Sequence, residues 1–371
     1  MNSLPLSAEK PLAERLRERI RREGAITFRD WMAAALYDER GGYYCRPDLK
    51  RWGREGDYRT SPERSPLFAT TFALYFAKLY GELGAPREWT IFEGGAGAGH
   101  FARGVLATLR RDYPKIFSAT RYLIDEVSAD ARPLLNEFAE KVEFRRFSEI
   151  SAPAGCGIVF ANELLDAFPV HRVEKREGRL LELFVELNEA GEFVFAVHEL
   201  STPELTFYFE RLRFELSEGH VAEVNLEVEG WLRSAAALFE RGYLVIVDYG
   251  AEACELYNAR ERRDGTLRSF HRHGFAGDVL ARPGEQDLTT TIDWTNVRRV
   301  AEESGLQTLS LERQDKFLLR AGLLQQLERE SAEAKSETEA LILRSSVRDL
   351  ILPGGMSESF QVLVMKSNDE R

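Results

Sequence analysis

Cysteine is scarce in this chain of 371 residues. Cys45, Cys156 and Cys254 are odd in number, far apart and without the close pairing that a zinc site or a disulfide framework needs. They argue against structural zinc and for a reducing compartment. Long apolar runs are missing too. No stretch approaches the roughly 18 to 20 apolar residues of a membrane helix, so no membrane span is expected. The N-terminus also lacks the uninterrupted apolar core of a signal peptide. Positive charge is outweighed, with 50 Lys and Arg against 61 Asp and Glu and a net charge of −11, so nucleic acid is not expected as a partner. The six histidines show no metal-ligand pairing. His271 and His273, two apart in a long polar stretch, read as surface residues, and no metal is expected. The first 25 residues are Arg-rich and amphipathic like a mitochondrial presequence, yet they carry Glu9, Glu14, Glu18 and Glu23. Presequences avoid acids, so this segment reads as a helix of a cytoplasmic protein.

What is present is alternation of helix and strand patterns. Leu12, Leu16 and Ile20 recur at helical spacing before Gly24, and 27–37 continues helically. Gly41-Gly42-Tyr43-Tyr44 opens a polar stretch reaching Pro66. Residues 67–83 form an apolar helix whose aromatic stripe, Phe68, Phe72, Tyr75, Phe76 and Tyr80, reads as core. Strands are then expected at 89–92, 122–124, 142–147, 157–161 and 243–248, with helices at 100–112 and 129–140 between them. Short β-branched runs separated by helices imply a mostly parallel α/β sheet. Residues 170–214 alternate with turns at Glu177-Gly178 and Ala190-Gly191, as antiparallel strands would. Residues 252–291 read as a long functional or disordered loop. The strand patterns at 306–311 and 360–365, with helical 317–352 between them, could add a hairpin to the sheet edge. The chain is thus expected to divide into a helical and lid region (1–85), a Rossmann-like core (86–169), inserted antiparallel strands and a helix (170–240), and the remainder of the core (241–371).

The chemistry centres on Glu93-Gly94-Gly95-Ala96-Gly97-Ala98-Gly99 between the first strand and a helix. Glycines let the chain turn sharply there and let a ligand approach backbone at a helix N-terminus. Gly97-x-Gly99-x-x-Ala102 also satisfies a dinucleotide fingerprint, so spacing alone leaves nicotinamide open. Glu93 tips the reading, because a carboxylate suits a cation such as S-adenosylmethionine better than a pyrophosphate. Glu126, about thirty residues after the loop, is placed to accept ribose hydroxyls, and adjacent Asp125 competes with it. Neighbouring strand residues face opposite ways, so one of the two points into the cleft. Asn162-Glu163-Leu164-Leu165-Asp166-Ala167 follows the fourth strand. Its acids and amide suit a cationic or amine acceptor, or alternatively cap a helix.

These motifs resemble a known family. Gly42-Tyr43-Tyr44, Gly56-Asp57-Tyr58-Arg59-Thr60-Ser61-Pro62-Glu63, the glycine loop, Asn162 to Ala167, Asp248-Tyr249-Gly250, Gly284 to Thr289 and Gln314 to Leu318 occur in the order of the MidA-like class I methyltransferases. That is the family of the mitochondrial complex I assembly-factor arginine methyltransferase. The resemblance spans roughly residues 10 to 366. It implies a seven-stranded class I methyltransferase sheet and S-adenosyl-L-methionine as cofactor. Carried over by position, Gly95, Gly97 and Gly99 would line the methionine and ribose side, Glu126 the ribose, and Thr60, Ser61 and Glu63 would cap the site, with Glu93 and Asn162 in the cofactor set. Ala96 and Ala98 depart from the family's Pro and Arg, and His100 from its small hydroxyl residue. The expected activity is methylation of a nitrogen acceptor, by resemblance an exposed arginine of a protein, with Glu163 and Asp166 orienting the guanidinium. A small-molecule methyltransferase, a non-catalytic assembly factor and an NAD-dependent oxidoreductase are the alternatives.

Overall fold

A computed structural model describes residues 10–49, 51–52, 60–151, 153–258, 260–271, 274–275, 277–352 and 359–368. His273 and residues 56–59 of the expected lid lie outside them. Contacts divide the chain into two compact units. One comprises Lys50–Ala167, Glu227–Leu256 and Thr291–Arg371, the other Met1–Leu49, Phe168–Leu226 and Tyr257–Thr290. The division expected from sequence ran in chain order, whereas each unit gathers segments far apart in the chain.

The larger unit is built on a sheet of strands β1 (Trp89–Gly94), β2 (Thr120–Asp125), β3 (Val142–Phe144), β4 (Cys156–Asn162), β5 (Arg241–Ala251), β6 (Leu306–Arg313) and β7 (Phe360–Ser367). Their spatial order is β6-β7-β5-β4-β1-β2-β3, and the short Ile292–Asp293 also pairs with β5. β1 to β5 run parallel. β7 lies between β5 and β6 and is antiparallel to both. This is the mostly parallel α/β sheet of seven strands expected from the sequence, with the two late strands added beyond β5. Every residue of β1 is buried, as befits a parallel strand covered on both faces.

Helix α1 (Pro66–Glu82) starts where the Ser65 hydroxyl accepts the Leu67 N–H at 3.3 Å, with proline in the first turn. Its aromatic stripe is core. Phe72 meets Phe160 of β4 at 5.2 Å between centroids, and Phe160 stacks on Phe101 of α2 (His100–Asp112) at 4.0 Å. The helical stretch expected over 317–352 is three helices, Gln314–Arg320, Leu323–Glu333 and Glu337–Ile351. Gly322, at φ +103°, and the capping Ser336 separate them. No helix among the described residues is long and apolar enough to cross a membrane.

The smaller unit carries the inserted antiparallel strands. His171–Arg176, Arg179–Leu187 and Phe193–His198 pair in succession, with Val221–Val224 beside the first and Ile26–Thr27 beside the second. Residues 204–212, expected to be extended, form a helix. Its apolar residues Leu205, Tyr208 and Phe209 are three and four apart, a helical spacing hidden behind strand-like composition. The long loop is also more regular than expected: Arg268–His271 pairs antiparallel with both Gly274–Phe275 and Asp287–Thr289. Strands this short carry too few alternations to be read from sequence. Two of the ordered motifs meet here, because the Tyr44 hydroxyl donates to Asp287 Oδ1 at 2.7 Å.

Candidate functional site

β1 delivers the glycine loop to the carboxyl edge of the sheet, and α2 begins directly after it with Gly99 as its cap. Gly95 and Gly97 have φ +70° and +55°, which side chains other than glycine's rarely adopt. Space demands glycine as well. A Cβ at Gly95 would lie 2.9 Å from Leu164 Cδ1, and one at Gly97 would lie 2.9 Å from the ring of Trp52.

The geometry distinguishes the two competing acids. Asp125 turns away from the loop, its carboxylate accepting the Phe147 N–H at 2.9 Å and pairing with Arg146 at 2.9 Å. Those bonds end β3 early, and 147–149 forms a 3₁₀ turn in place of the expected strand. Glu126 faces the loop and accepts the N–H groups of Gly97 at 2.8 Å and Ser128 at 2.7 Å. Burial raises its pKa, opposed by those two N–H groups and by the nearby Arg51 guanidinium. Glu93 is buried beneath the loop, and the Tyr122 hydroxyl donates to its carboxyl at 2.6 Å. Burial pushes it up to about 8, so at neutral pH without a ligand it is mostly protonated. It is thus a latent charge, which a cation beside it would draw out, and no standing anion.

The segment after β4 places the second group. Glu163 sits at φ +52°, a left-handed conformation that costs a non-glycine residue about 1 to 3 kcal/mol. Its Oε1 accepts the Asn162 side-chain N–H at 2.9 Å and the Ser61 N–H at 3.3 Å. Asp248 of β5 is fully buried; its Oδ2 accepts the N–H groups of Leu165 and Asp166 at 3.1 and 3.4 Å. Burial raises all three acids, Glu163 and Asp166 to about 7 and Asp248 well above the carboxylate range. Asp166 raises Asp248 further, as like charges do. Residues 165–167 form a single 3₁₀ turn, so the helix that Asn162 was expected to cap as the alternative role does not form.

Thr60, Ser61 and Glu63 form a short helical turn, Ser61–Arg64, whose Thr60 N–H is taken by Glu63 Oε2 at 3.1 Å. His100 Nε2 lies 4.0 Å from Glu63 Oε1. The Ser61 N–H is the link to Glu163. Sequence reasoning brought Glu93, Gly95, Gly97, Gly99, Glu126, Asn162, Glu163 and Asp166 to one edge, and the structure does the same. It missed Asp248 as a member of the acid group, although Asp248-Tyr249-Gly250 stood out as a motif at a strand end. It also missed Tyr122, Leu164, and the Arg51, Trp52 and Asp130 group, which no local pattern marks.

A sequence model of the family described as "Putative S-adenosyl-L-methionine-dependent methyltransferase" matches residues 71–311, well over half of the chain. The chain is 28% identical to the fruit fly "Protein arginine methyltransferase NDUFAF7 homolog, mitochondrial", across 97% of this chain and 85% of that one. It is 24% identical to the human protein arginine methyltransferase NDUFAF7, across 85% of this chain and 75% of that one. A crystal structure from Burkholderia thailandensis with S-adenosyl-homocysteine bound has a TM-score of 0.84 and 30% identity, covering 99% of this chain and 95% of that one. The fly, mouse and human relatives are all named mitochondrial, which overturns the expectation of a cytoplasmic protein. The acids that prompted it, Glu14, Glu18 and Glu23, belong to a packed helix, Leu12–Glu23, and a helix of the folded protein is silent on location. On its sheet, its glycine loop and these matches, this chain belongs to the MidA-like family of class I S-adenosyl-L-methionine-dependent methyltransferases.

Proposed function

We propose that this methyltransferase acts on an arginine side chain of a partner protein, with Glu163, Asp166 and Asp248 as the acids that receive the guanidinium. The observation that carries the reading is their convergence: the buried carboxyl groups of Asp166 and Asp248 and the partly buried one of Glu163 meet at the ends of neighbouring parallel strands β4 and β5, close enough to raise one another's pKa. Acids that raise one another in this way resist ionising together, and a planar cation with several N–H donors relieves that repulsion. The curated relatives are named protein arginine methyltransferases, which supports the same acceptor.

The loop fits the cofactor on its own chemistry. Glu126 presents two carboxylate oxygens, each already taking an N–H donor, and neighbouring ribose hydroxyls are donors of the same kind. Gly95, Gly97 and Gly99 offer backbone along the approach, and Glu93 offers a carboxyl that a positive charge would ionise. Thr60, Ser61 and Glu63 border the acid group, and Asn162 orients Glu163. S-adenosyl-L-methionine, when bound, supplies a methyl group on a sulfonium that needs no further activation. The residues therefore have two tasks. Glu163 and Asp166 hold the acceptor nitrogen in line, a positioning effect that can account for much of the rate. The pair then takes the proton that the nitrogen gives up as its bond to carbon forms, and an acid near pKa 7 is suited to that exchange at neutral pH. Incubation of the purified chain with labelled S-adenosyl-L-methionine and a cell lysate, followed by mass spectrometry, should place the label on arginine. Label confined to small molecules would sink the reading.

A further inference from the structure

Trp52 is the ring for which Gly97 makes room. A Cβ at Gly97 would stand 2.9, 3.1 and 3.3 Å from three carbons of its six-membered ring. The indole N–H donates to Asp130 Oδ2 at 3.0 Å, and the same oxygen receives the guanidinium of Arg51, a side chain only 2% exposed. The Asp130 N–H is held by Ser128 Oγ at 3.1 Å, the Ser128 N–H by Glu126 at 2.7 Å, and Glu126 in turn holds the Gly97 N–H. The bonds close a circuit: glycine loop, ribose-facing acid, turn, aspartate, indole and back to the loop. A buried arginine and its aspartate are a costly way to anchor a ring that is only partly buried itself. Core packing alone would not need it. An anchored aromatic face beside the acid expected to hold a ribose is instead what a nucleoside requires, since stacking needs a plane held at a fixed place.

From this we infer that Trp52 is a cofactor-binding residue, forming the wall of the site along the nucleoside part of S-adenosyl-L-methionine, with Arg51 and Asp130 as its positioning residues. The inference rests on the cofactor assignment, and binding measurements separate the two. Calorimetry and tryptophan fluorescence of the purified full chain, titrated with S-adenosyl-homocysteine and with S-adenosyl-L-methionine, provide the test. Wild type should bind both and change its fluorescence. Trp52→Phe, which keeps a ring, should lose that change while its affinity stays within several-fold. Trp52→Ala should weaken both ligands alike, by roughly 5- to 150-fold, with the ligand-free melting temperature close to wild type. Unchanged affinity in Trp52→Ala, or loss for the sulfonium ligand alone, would overturn the nucleoside wall. If Trp52→Ala fails to fold, a fluorescence change that persists undiminished in Trp52→Phe overturns it. A wild-type chain that binds neither ligand would overturn the cofactor assignment and the wall together.

Discussion

The carboxylate of Glu126 accepts the backbone N–H of Gly97 at 2.8 Å, tying the end of the second strand to the loop after the first. Each carboxylate oxygen keeps a second lone pair beside the N–H it accepts, so on the proposed reading Glu126 would take the ribose hydroxyls while still holding the loop, which would link loop geometry to cofactor affinity. Glu126→Gln keeps the shape and removes the charge. Loss of a charged hydrogen bond costs about 1.5 to 3 kcal/mol, so S-adenosyl-homocysteine should bind roughly 10- to 150-fold more weakly by calorimetry. Asp125→Asn is the control. Asp125 bonds Phe147 and Arg146 on the far side, so that variant should lose stability before it loses affinity.

Gly97→Val meets two obstacles at once, a φ of +55° and the Trp52 ring. The variant should keep its far-ultraviolet circular dichroism and lose measurable binding of S-adenosyl-homocysteine. A folded variant with wild-type affinity would remove the loop from the cofactor site.

Glu163 provides the sharpest separation of function from stability. Its left-handed conformation is strained, and desolvation of its carboxyl disfavours ionisation. Glu163→Gly relieves both, at an entropic cost of about 0.5 to 1 kcal/mol. The melting temperature should stay at or above wild type while methyl transfer to an identified acceptor is lost. Glu163→Gln and Asp166→Asn should each slow transfer roughly 10- to 150-fold with cofactor affinity nearly unchanged. A clear fall in melting temperature with transfer intact would make these residues structural.

Stability should depend on pH through Glu93. Its pKa is raised from 4.5 to about 8 on folding, mainly by burial. An acid shifted upward stabilises the fold in its protonated form, so its contribution is complete below about 4.5 and is lost as pH rises through about 8. The ligand-free melting temperature should therefore fall across that window. Glu163 and Asp166, raised from 4.5 and 3.8 to about 7, add to the decline up to about pH 7. Glu93→Gln, permanently neutral, should flatten the curve between about 4.5 and 8 in a thermal-shift series. An unchanged slope would mean that Glu93 does not carry the shift.

Much of the molecule was legible in the sequence because the features concerned are local. Glycine after a β-branched run fixes a strand, a turn and a helix start within a dozen residues, and the alternation that follows repeats this over a hundred. The aromatic stripe from Phe68 to Tyr80 lies on one helix and reads as core for the same reason. Where local pattern thins, reading fails: residues 204–212 formed a helix among expected strands, and the strands of the long loop were too short to register.

The sequence by itself therefore determined the parallel sheet, the glycine loop at its edge, the acids after the second and fourth strands and the family. Tertiary structure decided which atoms meet. Only the packed sheet turns Asp125 outward and Glu126 inward, brings Asp248 under the Leu165 and Asp166 N–H groups, and closes Trp52 onto Gly97 across 45 residues of chain. Those contacts join segments with no shared periodicity, and only the folding of the whole unit, with burial of its core, brings them together.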